Sequence, residues 1–266
     1  MMKLFNQSED PMKFFRYYRR WRAIMMMSLI AALCLILANE PARAVVPTGT
    51  PTFSSPLNIT NPYHPFQPGG VKVFQGSDGR TRKVGIHLYL TEPRSFSWNG
   101  GTVNCQVLRE IAFEDGQLVE ISDNYFAQAD DGTVYYFGEV VDIYEDGVVV
   151  DNDGSWLVGG LTLPSDPVTT ANAPNPTVFM PANPEVGDVF KPEDLIPVVD
   201  ETAEVVRVGV KIKVPAGSYE DTIAIEETSA LEPGTTTKWY APGVGVVKEK
   251  AKREQLNLIS STLVSP

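Results

Sequence analysis

The chain has 266 residues, with 22 basic and 33 acidic side chains, a net charge of −11 at pH 7, and two cysteines. An acidic chain of this kind repels nucleic acid and anionic lipid headgroups, which excludes both as partners. Its length suffices to bury a core without disulfide staples.

The first 44 residues are laid out as a secretory signal peptide. Lys13, Arg16, Arg19, Arg20 and Arg22 form a basic segment, Ala23 to Ala38 an apolar run, and Ala42-Arg43-Ala44 a small-x-small site, so cleavage is expected after Ala44. The apolar run is short for a bilayer span and no stop-transfer pattern follows, so no stable membrane insertion is expected after cleavage. Leu33 stands before Cys34 where lipidation needs a small residue. Cleavage removes seven of 22 basic and three of 33 acidic residues, leaving 15 and 30, a net charge near −15. A secreted or periplasmic location is the expectation. Cys105 is then the sole cysteine, which rules out an intramolecular disulfide and reads as a small buried hydrophobe in a strand.

Residues 45–68 carry Pro47, Pro51, Pro56, Pro62, Pro65 and Pro68, which predict an extended arm ahead of one β domain at 69–266. Strands follow at 71–75, 82–90, 102–113, 118–129, 133–144 and 148–151. Between them stand Glu114-Asp115-Gly116, Asp130-Asp131-Gly132 and Glu145-Asp146-Gly147, each an acidic residue, Asp and Gly running into strand-forming residues. Asp and Gly tolerate the positive φ of tight hairpin loops, so each triplet predicts a hairpin tip. The Pro, Thr, Asn and Ala text at 159–183 predicts a long loop, the natural candidate for a lid. Strands resume at 204–214, 219–227, 236–240, 245–250 and 256–263, with a short helical turn allowed at 248–255. The expected fold is all-β: a single antiparallel meander sheet of about ten strands, too many to stay flat, curled into an open barrel or a sandwich.

The series NPYHPFQPG, FAQADDGTVYYFGE, YEDGVVVDNDGSW, MPANPEVGD, VPAGSYED and LEPGTTTKWYAPGVG, spanning Asn61 to about Val247, resembles a widespread uncharacterised family of secreted bacterial β-rich proteins. The resemblance implies no activity, cofactor or catalytic residue. It implies one departure: where relatives often carry a second cysteine after the VPxGS segment, this chain has Thr222.

No motif implies a catalytic residue, a cofactor or a metal. The acid-Gly turns fail the EF-type loop spacing, because a loop with Gly147 at its sixth position puts Tyr144 at the third ligand and Asp153 at the last. Two carboxylates stand in apolar rows: Asp123 with Val119, Ile121 and Tyr125, and Glu139 with Phe137, Val141 and Ile143. A buried carboxylate has a raised pKa and can act as an acid or hold a ligand; the structural alternative is a β-bulge at Gly138 that turns the row outward, or a salt bridge to Arg109 or Lys211. His64 and His87 are isolated and read as packing residues. The aromatics, Tyr136, Phe137 and Trp156 foremost, either line a concave ligand face or form an ordinary core. The candidate ligand site is therefore Tyr136, Phe137, Trp156, Asp123 and Glu139, closed by the 159–183 loop. The leading expectation is a secreted non-enzymatic module that binds a small apolar ligand or a protein partner. A structural envelope or extracellular matrix protein is the alternative, and a hydrolase using Asp123 and Glu139 comes third.

Overall fold

The computed structural model describes residues 44–46 and 49–263. The expected signal peptide, residues 1–44, lies outside the described residues except for Ala44. The strands are β1 (Ala44–Val45), β2 (Val71–Asp78), β3 (Thr81–Tyr89), β4 (Arg94–Trp98), β5 (Gly101–Glu114), β6 (Gln117–Gln128), β7 (Val134–Glu145), β8 (Val148–Asp151) and β9 (Trp156–Val158). They continue as β10 (Ala171–Ala173), β11 (Thr177–Met180), β12 (Asp188–Leu195), β13 (Val199–Val214), β14 (Gly217–Thr228), β15 (Thr236–Ala241), β16 (Gly245–Lys250) and β17 (Glu254–Ser261).

Long alternating strands joined by tight turns pair with their sequence neighbours, since such hairpins close the shortest loops. One antiparallel run is β2, β3, β5, β6 and β7; the other is β12 to β17. β17 pairs with β2, and β11 pairs with β7 beside β12, where the Thr177 hydroxyl donates to the Pro192 carbonyl at 2.5 Å. The two runs thus roll into one nearly closed barrel-shaped sheet, which is the expected all-β class with more strands than the sequence showed. The extra ones, β1, β4, β9, β10, β11 and β12, are mostly three to five residues long, too short for alternation to mark them, and pairing with a neighbour makes them strands. At 248–255 no helical turn forms: β16 runs to Lys250, Ala251 donates to the Glu254 carbonyl, and β17 begins. Pairing of Lys248 to Lys250 with β17 satisfies the backbone groups a helix would have used.

The acid-Gly triplets are hairpin tips. Asp115 and Gly116 have φ of 47° and 87°, and Asp146 and Gly147 have 51° and 78°, both in the left-handed region that a two-residue primed turn requires. The 129–133 connection is one step longer: Ala129 and Thr133 close it, and Gly132 alone sits at φ 92°. A Cβ there would also lie 3.3 Å from that of Ala182. Gly132→Val is therefore expected to lower stability by about 1–3 kcal/mol, measured by urea unfolding.

Residues 49–68 form no strand; they turn at 55–58, 61–64 and 67–70 and are strapped to the barrel. Gln128 Oε1 accepts from the amides of Thr60 and Asn61, both at 2.8 Å, and Asn61 Nδ2 reaches the Gly132 and Pro181 carbonyls. Asp130 accepts from Thr52 and Ser54. Ile59, Asn61, His64 and Phe66 are buried. Residues 159–183 hold β10, parallel to β9, and β11. Asp166 gathers the Thr162 and Leu163 amides and the Arg94 guanidinium.

In β6 the apolar row of Val119, Ile121 and Tyr125, which alternation alone would turn inward, does not face the barrel interior. Val119 and Ile121 are half-buried, whereas Ser122 and Asn124 on the opposite row are 3% and 8% exposed and face the barrel interior with Phe126. Tyr125 is also buried, but against Phe96 and Arg94 on the other face. Alternation reports that two rows differ, not which one faces in, and here both faces of the wall are covered.

Candidate functional site

Asp123 and Glu139 are brought to opposite faces of the wall. In the β6–β7 pairing Asp123 lies opposite Val140 and Asn124 opposite Glu139, so consecutive positions point to opposite sides. Asp123 forms a two-pronged ion pair with Arg109, at 2.7 and 2.8 Å. The two carboxylates cannot share a substrate, which removes the hydrolase arrangement built on them.

Glu139 faces inward because of a single glycine. Between Asn124 and Phe126 the partner strand advances from Glu139 to Tyr136, one residue more than β6, so β7 carries a bulge at Phe137–Gly138. Gly138 has φ 116°, and a Cβ on it would land on the Trp156 carbonyl oxygen. The bulge foreseen at Gly138 thus exists with the opposite outcome: it turns Glu139, Val141 and Ile143 into the interior, on the side of Tyr136. Phe137 stays on the other face, wholly buried, its ring 5.6 Å from those of Phe53 and Phe96. Trp156 packs edge-on against Tyr136 at 5.2 Å and also borders an outer cleft with Trp98, Tyr135 and Lys191. Of the five sequence candidates, the barrel interior therefore takes Tyr136 and Glu139.

The interior holds a cavity of about 220 Å³. Its wall combines Lys72, His87, Glu110, Asn124, Tyr136, Glu139, Glu193, Glu201, Lys238, Tyr240 and Glu249 from the strands, with His64 supplied by the Pro-rich segment. Lys72 is 1% exposed; its Nζ donates to the Val244 carbonyl at 3.1 Å and sits over the Phe74 ring. Lys238 pairs with Glu227 at 2.7 Å. Tyr136 donates to Asn124 Oδ1 at 2.5 Å. His87 Nδ1 lies 3.3 Å from Glu110 Oε1. His64 Nε2 is buried with no hydrogen-bond partner among the described residues.

Burial dominates the electrostatics of this wall. It pushes the Glu139 carboxyl well above the usual range, reinforced by the charge of Glu193 and a hydrogen bond to it. Burial and the charge of Glu201 raise Glu193 to about 7. Glu110 is raised by burial, with Lys238 and Lys72 opposing. Burial raises Glu227 to about 8 against the pull of Lys238. On Lys238, burial is outweighed by Glu227 and Glu201, which hold the ammonium charged. Lys72 falls to about 7, mainly by burial. His64 and His87 fall to about 3, by burial and then by the charge of Lys72. Both imidazoles are thus neutral at pH 7, and each offers one donor and one acceptor nitrogen. Cys105 is buried, free and raised well above its ordinary range by burial, an inert packing thiol.

Most of this constellation escaped the sequence reading. Lys72 and Lys238 each sit in an inward row of a β-strand, and a charge framed by valines, as in Val71-Lys72-Val73, is the one available signal. Glu193 lies beside Pro192 in a strand that no periodicity marks.

No protein-family model matches the chain, and no curated protein matches it. Among solved structures the chain is similar to a candidate exported protein with a YmcC-like fold from Bacteroides fragilis, at 12% identity and a TM-score of 0.36, over 75% of this chain and 98% of that one. A likeness this distant carries no functional argument.

Proposed function

We propose that this chain is a secreted or periplasmic, non-enzymatic binding protein whose barrel interior takes a small polar ligand. Export is supported by the signal layout of residues 1–44. One observation carries the binding reading: a cavity of about 220 Å³ walled by titratable side chains, Lys72, His64 and His87 buried and the carboxyls partly so, with His64 Nε2 lacking a hydrogen-bond partner among the described residues. Buried polar groups without partners cost about 1–3 kcal/mol each, so such a wall favours an occupant that hydrogen-bonds. A purely apolar ligand, the first expectation from the sequence, would desolvate these carboxyl and amine groups and return nothing. The volume lies below the roughly 300–1,000 Å³ of drug-sized ligand pockets, which points to a small molecule.

A ligand at about 100 times its Kd adds roughly 2.7 kcal/mol, or about 5–10 °C in Tm for a domain of this size. Thermal-shift screening of small polar compounds against the wild type and Val246→Phe, which fills the cavity wall, tests the reading. Compounds that raise the wild-type Tm and lose the effect in Val246→Phe support it; a screen without any such compound sinks it. The envelope-protein reading would then take over, favoured by Val148, Val149 and Val150, which are 64%, 42% and 50% exposed on β8.

A further inference from the structure

Resting on the interior site just proposed, we infer that its ligand is a small organic cation bearing an amine, held between the Glu139–Glu193 carboxyl pair and an aromatic cluster of Phe126, Tyr136 and Phe179. The charge balance of the wall comes first. Five carboxyl groups line the cavity, Glu110, Glu139, Glu193, Glu201 and Glu249, against two amines. Both amines are engaged, Lys72 with the Val244 carbonyl and Lys238 with Glu227, a residue outside the lining. An anionic ligand would meet the surplus carboxyls at close range, and the occupied lysines offer it little return.

The aromatic side of the cavity has the complementary property. Phe126 lies 4.6 Å from Phe179 and 4.8 Å from Tyr136, and Tyr136 lies 5.7 Å from Phe179, ring centre to ring centre. Aromatic faces are negative and attract a cation withdrawn from water. His64 packs edge-on against Phe126 and Phe179 at 4.5 and 4.7 Å; it is 7% exposed, and its Nε2 has no partner among the described residues. A neutral imidazole nitrogen at that place can accept a hydrogen bond from an ammonium N–H. Three independent features of one cavity therefore converge on a positively charged hydrogen-bond donor. Among the described residues no three His, Cys, Asp or Glu side chains are gathered as a metal-ligand set, so the organic cation fits better than a metal ion.

Binding carries a proton with it. Glu139 and Glu193 line the same cavity, and the charge of Glu193 raises the cost of ionising Glu139 on top of burial, so the two carboxyls do not ionise together near pH 7. Around that pair stand Glu110 on β5 and Glu120 on β6, with Glu201 on β13, Glu232 beyond β14 and Lys238 on β15. An R–NH3+ group needs Glu193 ionised: where Glu193 carries a proton, binding releases that proton to solvent while Glu139 keeps its own, so one positive charge replaces another. No covalent bond is made.

Isothermal titration of the full mature chain in 150 mM NaCl tests the inference, with putrescine and choline as cations, myo-inositol as a neutral probe and citrate as an anion. The expected result is binding of putrescine in preference to inositol and citrate, roughly tenfold weaker at pH 6 than at pH 8. That factor is what one proton released from a group titrating near 7 produces. Glu193→Gln, checked for folding by circular dichroism, should weaken putrescine at least tenfold at pH 8 and flatten its pH dependence. Choline, which lacks an N–H donor, should bind more weakly than putrescine. Inositol or citrate binding that Val246→Phe abolishes, with no cation binding, overturns the cation inference and leaves the interior site standing. Cation binding that survives both variants places the cation on the acidic surface and overturns it too. Absence of binding by all four overturns the inference, and if the broader thermal-shift screen is also empty, the interior site falls with it.

Discussion

Glu193→Gln should stabilise the protein by about 3 kcal/mol at pH 8 and by less than about 1 kcal/mol at pH 5, measured by urea unfolding at the two pH values. In the folded protein Glu193 titrates near 7 because burial and the nearby Glu201 disfavour its charge, whereas in the unfolded chain it returns to its ordinary value of 4.5. A carboxyl with a raised folded pKa binds more protons in the native state than in the unfolded one between those two values. Stability therefore falls as pH rises from about 4.5 to about 7 and stays low above, by about 1.36 kcal/mol per unit of difference. Gln keeps the shape and most of the hydrogen bonding but never ionises, so the loss at pH 8 disappears. The two buried histidines work in the other direction, adding stability as pH rises from about 3 to 6.5, and do not mask the effect above pH 7. Equal stability of variant and wild type at pH 8 would show that the Glu139–Glu193 pair is solvated and carries no stored cost. Natural sites often retain such a cost because a ligand relieves it.

Gly138→Ala should cost about 2–6 kcal/mol and, in whatever fraction still folds, uncouple the interior site. The residue sits at φ 116°, which a Cβ resists by about 1–3 kcal/mol. The added methyl group would also collide with the backbone of β9, on the Trp156 carbonyl oxygen and 2.8 Å from the Leu157 Cα. Overpacking against backbone adds about 1–3 kcal/mol more, because no side chain can swing away. The only relief is to flatten the bulge, which slips β7 by one residue and turns Glu139 out of the cavity. Urea unfolding gives the cost. The structural consequence is read from the pH profile of stability, which should lose the contribution of the carboxyl pair. A loss under about 0.5 kcal/mol would mean the bulge is not held by β9.

How much of this was legible in the chain can be argued residue by residue. Asp115-Gly116 and Asp146-Gly147 were readable as hairpin tips because positive φ is a local property, decided by the residue type at that position. The long strands between such turns were readable for the same reason: alternation and β-branched residues act within a few positions. Gly138 was readable as a bulge, yet its effect on Glu139 was not, since the direction a row faces depends on the strand it pairs with. β11 and β12 were invisible, being short or interrupted by Pro192, and they form because β7 and β13 stand beside them with open hydrogen-bonding edges.

The sequence by itself determined the all-β class, the hairpin tips, the acidic charge and the inert character of Cys105, because each follows from residue type and near neighbours. Only the tertiary structure decided that the barrel interior is polar, for Lys72, Glu139, Glu193, Lys238 and His64 come from segments as far apart as residues 64 and 238. Their charges, partly or wholly withdrawn from water, are tolerable in one another's company, by ion pairing and by carboxyls that stay protonated. No local pattern encodes that company; closure of the sheet brings it about.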